Sequence, residues 1–79
     1  MTDTTTRRPI RVSTDGTSGP YIMVSVESLE KVRKFLTEND IPHWVDHTAI
    51  SVDGRPAVTV INLGRTADSR RVQDLLDAA

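Results

Sequence analysis

The stretch YIMVSVESLEKVRKFLTEND, residues 21–40, changes period partway along, and that change sets the fold. Tyr21-Ile22-Met23-Val24-Ser25-Val26 is apolar and rich in β-branched residues, which is the composition of a strand. From Glu27 onward Leu29, Val32, Phe35 and Leu36 recur at helical spacing, with Glu30, Lys31, Arg33, Lys34 and Glu38 on the opposite side. Glu30 precedes Lys34 by four residues, the favourable order for an ion pair along a helix. Asn39-Asp40 supplies the stop, and Ile41-Pro42 starts the return.

Outward from that stretch, the carboxyl side reads as two strands and a helix, and the amino side as one short strand and a turn. On the carboxyl side His43 to Val52 is a strand, with a bend expected near His47-Thr48. Asp53-Gly54 is the strongest hairpin signal in the chain, and Ala57 to Leu63 is the returning arm. Asn62-Leu63-Gly64-Arg65 closes it. Thr66 or Asp68 can cap a last helix whose apolar stripe is Val72, Leu75, Leu76 and Ala79. On the amino side Ile10 to Ser13 alternates as a short strand does, and Thr14 to Pro20 is turn chemistry. Residues Met1 to Arg8 are threonine-rich and polar after Met1, so 1–8 is expected to be a disordered tail before a single domain at 9–79.

The order is β-β-α-β-β-α, an α+β chain predicted to fold as a two-layer sandwich. A right-handed crossover is expected to lay the strand at 57–63 parallel to that at 21–26, with 43–52 outside it. The amino-terminal strand lies antiparallel on the other side, and both helices cover one face of the four-stranded sheet. This resembles a circularly permuted ferredoxin-like fold, in which the usual last strand has moved to the front of the chain. The resemblance is one of architecture, and a fold so widely reused carries no function with it.

Composition removes several classes of function. With 79 residues the chain holds one small domain, and burial in so short a chain leaves stability marginal, which favours association with a partner. Ten basic and eleven acidic residues give a net charge of −1, so there is no bulk attraction to nucleic acid or to an anionic membrane. No cysteine is present, which excludes disulfides, cysteine-ligated metals and thiol catalysis. The polar start and the lack of a long apolar run point to a cytoplasmic protein without a membrane span. No cofactor is expected.

Both inner strands are apolar on both sides. If Ile22, Val24 and Val26 face the helices, Tyr21 and Met23 are left on the open side. In the strand at 57–63, Val58 and Val60 point one way, and Thr59, Ile61 and Leu63 the other. Trp44 adds to the ambiguity. The expected contact face is therefore Tyr21, Met23, Trp44, Thr59 and Ile61, covered by a second copy in a homodimer or by a larger protein. The leading expectation is a small non-enzymatic protein–protein interaction module.

Other readings attach to smaller clusters. Asn62, Gly64, Arg65 and Thr66 lie between a strand and a helix start, where free N–H groups attract anions, which gives the alternative of a small-ligand-binding regulatory domain. The cluster lacks the repeated glycines of a nucleotide loop, and Asp68 would repel an anion. His43, Asp46 and His47 form the densest set of acid–base residue types. On a strand the two histidines lie roughly 13 Å apart, too far to share a metal without a sharp bend. Tyr21 and Trp44 could stack on RNA bases, but the chain has only three aromatic residues and no matching motif, so nucleic acid is not the expected partner.

Overall fold

A computed structural model describes residues 1–15, 19–50 and 57–79, with 46–50 described by their backbone. The strands are β1 (Thr2–Asp3), β2 (Arg8–Pro9), β3 (Val12–Ser13), β4 (Tyr21–Ser25), β5 (Trp44–Ile50) and β6 (Val58–Asn62). The helices are α1 (Leu29–Glu38), entered through a 3-10 turn at Val26–Ser28, and α2 (Ser69–Ala78). The strands β1 and β2 form a separate antiparallel hairpin, and the main sheet has the order β3-β4-β6-β5.

The spatial order of the four main strands is the expected one, but the direction of one strand is not. The pairing of β6 with β4 is antiparallel, with Ile22 opposite Ile61 and Val24 opposite Thr59. It is also antiparallel to β5. The expectation of a parallel pair at 21–26 and 57–63 is thus corrected. The physical reason is the pairing of β5 with β6. The crossover through α1 brings β5 back in the direction of β4, and the hairpin partner must reverse, so the strand slotted between them opposes both. The Asp53-Gly54 turn itself lies outside the described residues, as does part of the turn expected at Thr14 to Pro20. In β5 the register shifts between Asp46, opposite Val60, and Ile50, opposite Val58. Extra residues on one strand of a pair make a bulge, and this one coincides with the bend expected near His47-Thr48.

The core forms on one side of the sheet. Ile22 and Val24 of β4 and Ile61 of β6 join Val32 and Leu36 of α1 and Val72 and Leu76 of α2 in one buried cluster, with Ile10, Ile41 and Leu63. Helical stripes from both helices meet the same strand parity, an arrangement compatible with a two-layer sandwich. Ends are fixed locally. At the end of α1, Asp40 adopts a left-handed conformation (φ 56°). The Asp40 N–H then donates to the Thr37 carbonyl (3.1 Å), and the Ile41 N–H to that of Leu36 (2.9 Å). This is a Schellman closure, and the buried Ile41 is its usual apolar partner. The start of α2 is capped by Asp68, whose carboxylate accepts from the Arg71 N–H at 3.1 Å. The ion pairs on α1 are Glu30–Arg33 and Lys34–Glu38. Both are exposed, and such pairs contribute little.

The amino-terminal residues differ most from expectation. Residues 1–8, read as a disordered tail, supply most of the β1–β2 hairpin, and Asp3 is only 4% exposed. Met1 packs against the core. Its amine donates to the Leu76 carbonyl at the end of α2. The edge strand β3 is held from the other side by Gln73. Its side-chain oxygen accepts from the Val12 N–H (2.7 Å), and its amide nitrogen donates to the Ile10 carbonyl (3.2 Å). One side chain thereby supplies the two hydrogen bonds a neighbouring strand would have supplied.

Candidate functional site

Register decides which side chains share the open face. Tyr21 lies opposite Asn62, and Asn62 opposite Trp44, so these three form a row across β4, β6 and β5. Met23 and Val60 form the next row. With strands ~4.8 Å apart, the outer members of a row stand about 10 Å from each other. Met23 is 53% exposed and Trp44 54%, far more than apolar residues of their size usually are. Tyr21, Val60 and Asn62 between them are half-buried. The result is a largely apolar surface, with Asn62 in the middle of one row and Met23 and Trp44 standing proud at diagonal corners.

Two residues expected on this face are on the other one. Thr59 is 4% exposed and Ile61 fully buried, both directed at the helices. Their strand alternates cleanly, and the two candidate faces were equally apolar in sequence, so pairing with Ile22 and Val24 was needed to choose between them. Val26, expected to face the helices, is 43% exposed because β4 ends at Ser25 and turns. The contact face thus reduces to Tyr21, Met23 and Trp44, and gains Val60.

Trp44 is also tied to the loop after β6. Gly64 has a left-handed backbone (φ 85°), and a Cβ there would lie 3.4 Å from the Trp44 ring, so the indole rests on the glycine. On its other side the loop is approached by Gly19 (φ 96°), where a Cβ would fall 2.9 Å from the Arg65 nitrogen. Leu63 N–H donates to the Pro20 carbonyl (3.0 Å), and Ala67 N–H to the Gly64 carbonyl (3.2 Å). Two backbones meet here at a distance only glycine permits. Arg65 and Thr66 are exposed, and Asn62 belongs to the sheet row. The four candidate ligand residues are thus split between sheet and loop. The Asp68 cap takes up a free N–H of α2 that an anion would have used.

The acid–base cluster is only partly in view. The His43 Nδ1 lies 2.9 Å from the Ile41 carbonyl, a local backbone contact. The side chains of Asp46 and His47 lie outside the described residues. Among the described residues no group of three or more His, Asp or Glu could hold a metal ion. A shallow depression on α2 is lined by Asp68, Arg70, Arg71, Asp74 and Leu75, where two guanidinium groups and two carboxylates balance and neither sign dominates. The Tyr21 hydroxyl donates to Asp15 (2.7 Å), and this bond, with the charge of the carboxylate, raises the phenol pKa. The bond ties Asp15 to the start of β4.

The most concentrated polar site was not legible as one. The Asp3 carboxylate accepts from the Ser25 N–H (2.8 Å), the Ser25 hydroxyl (2.9 Å), the Ser28 hydroxyl (3.0 Å) and the N–H groups of Thr5 (2.9 Å) and Thr6 (3.3 Å). Burial raises its pKa, but the Ser25 N–H and hydroxyl and the Thr5 and Thr6 N–H groups outweigh that, lowering it to about 2. The Ser25 hydroxyl in turn accepts from the Ser28 N–H at 3.3 Å. The only sequence signal was an aspartate followed by residues whose N–H groups it can reach, which is turn chemistry.

No protein-family model matches the chain, and no curated protein or solved structure does either. No helix among the described residues is long and apolar enough to cross a membrane.

Proposed function

We propose that this protein is a small self-associating interaction module, and that the face bearing Tyr21, Met23, Val60 and Trp44 is where a second copy sits. One observation carries the reading: among the described residues, Met23 and Trp44 are exposed large apolar side chains on the same face of the sheet, with Val60 and Asn62 between them and Tyr21 beside Met23. Exposed apolar groups scattered singly need no explanation, whereas a contiguous set on an otherwise well-packed domain does.

Size sets the strength of the contact. A stable interface hides ~800 Å² per partner. The apolar side chains here lie on three strands in two rows, with Asn62 among them, which is a smaller area. The association is therefore weak and reversible, and suits an accessory domain that meets its partner transiently. The reading is of a non-enzymatic, cytoplasmic protein. Its strand order supports placing it with ferredoxin-like sandwiches in which the last strand has moved to the front.

Sedimentation velocity from low to high micromolar concentration tests the proposal. A shift from monomer towards dimer is expected, and Met23→Lys is expected to abolish it while leaving the monomer folded. A wild-type monomer at high micromolar concentration would overturn the reading.

A further inference from the structure

We propose that Ser25 and Ser28 form a carboxylate-binding site, and that the hairpin of residues 1–9 is its built-in occupant through Asp3. Five donors converge on the one carboxylate. Two of them, the Thr5 and Thr6 N–H groups, travel with the hairpin. The other three belong to the body of the domain: the Ser25 N–H, the Ser25 hydroxyl and the Ser28 hydroxyl. Ser25 is 1% exposed and Ser28 2%, so these donors are directed into a space that Asp3 fills. Ser25 shares the strand parity of Tyr21 and Met23, yet it is 1% exposed and its N–H and hydroxyl both donate to the Asp3 carboxylate.

The body contributes donors and the hairpin the acceptor. A buried donor left without a partner costs free energy that a matching acceptor recovers, whichever chain supplies that acceptor. All three donors are on one short stretch, Ser25 to Ser28, where β4 runs through the 3-10 turn into α1. The Ser25 hydroxyl is held in a relay, accepting from the Ser28 N–H while it donates to Asp3. Ser25 and Ser28 are therefore oriented by packing and by each other, which preorganises the cradle.

Because Asp3 is tethered, it competes at the high effective concentration of an intramolecular ligand. Free carboxylates do not displace it from the wild-type chain. A carboxylate takes its place when the hairpin is absent or lacks the acid, or when another chain presents one at comparable effective concentration. The site is selective for a planar carboxylate, since one oxygen meets the Ser25 N–H while the other gathers the two hydroxyls.

The experiment is a rescue with formate. Thermal melting of wild type, Asp3→Ala and Asp3→Ala/Ser28→Ala is followed in sodium formate and in sodium chloride of equal ionic strength. In Asp3→Ala, formate is expected to raise the melting temperature over chloride by about 5 °C or more. Wild type is expected to show no difference between the salts, and the double variant to show a smaller one than Asp3→Ala. Should Asp3→Ala be unfolded in chloride, formate is expected to fold it, as read by circular dichroism. An equal response to both salts in all three chains, or an Asp3→Ala chain unfolded in both, would overturn the proposal.

Discussion

The amino-terminal hairpin and the open sheet face are opposites. In the hairpin a polar, threonine-rich segment is pinned to the domain by one buried carboxylate and the methionine before it. On the open face, apolar side chains of two central strands and an edge strand stand in solvent. Hydrophobicity alone would have ranked the two the other way, with the face ordered and the hairpin loose. Burial of a polar group is favourable when every hydrogen bond it needs is available, and the described residues contain no buried side-chain nitrogen or oxygen without a partner. An apolar group left exposed implies either a tolerated cost or a partner, and contiguity argues for the partner.

Removing the acid should produce the largest effect. Asp3→Ala removes the acceptor of the Ser25 N–H and of the buried Ser25 and Ser28 hydroxyls, and a loss of about 2–4 kcal/mol of unfolding free energy is expected by urea denaturation. The equivalent truncation on the open face, Met23→Ala, is expected to change monomer stability by less than about 0.5 kcal/mol. Equal effects at the two sites would erase the contrast.

The loop contact supporting Trp44 comes next. Gly19→Ala adds a Cβ at 2.9 Å from the facing backbone, at a φ of 96° that L residues seldom adopt. A cost of about 2 kcal/mol is expected, together with a change in Trp44 fluorescence as the loop shifts.

The pH dependence isolates the charge on Asp3. Its pKa falls from 3.8 to about 2 on folding, so the native state binds the carboxyl proton less readily than the unfolded chain does. The associated stability is complete above pH ~4 and is lost as pH falls towards 2. After allowance for solvent screening it amounts to about 1–2 kcal/mol, and in Asp3→Asn this component of the acid slope should be missing. The smallest effect is expected at Asp40, where φ is 56°. Asp40→Gly relieves the left-handed strain of the Schellman closure and should stabilise the chain by about 0.5 kcal/mol in the same denaturation assay.

The sequence carried the helices well and the sheet unevenly. Val32 and Leu36 of α1, and Val72 and Leu76 of α2, were legible because a helix separates its faces by a fixed period. The order of the four main strands followed from the crossover through α1 and the hairpin after it. The sense of β6 was legible too, but the expected parallel pair ran against it: a crossover returns β5 in the direction of β4, and a hairpin partner of β5 must oppose both. Thr59 and Ile61 were unreadable for a different reason: when both parities of a strand are apolar, only the cross-strand neighbour tells inside from outside. Asp3 was hidden because its partners, Ser25 and Ser28, lie more than twenty residues away in sequence and carry no pattern of their own.

Trp44 is the only tryptophan in the chain and stands on the proposed contact face, so a concentration-dependent change in its fluorescence reports on that face. Over a dilution series from about 1 mM to about 1 µM, a range that brackets a weak dimer, its emission maximum should move to the red as copies separate and the indole meets water. An emission maximum that stays constant across the series would show that nothing covers Trp44, and would contradict the account.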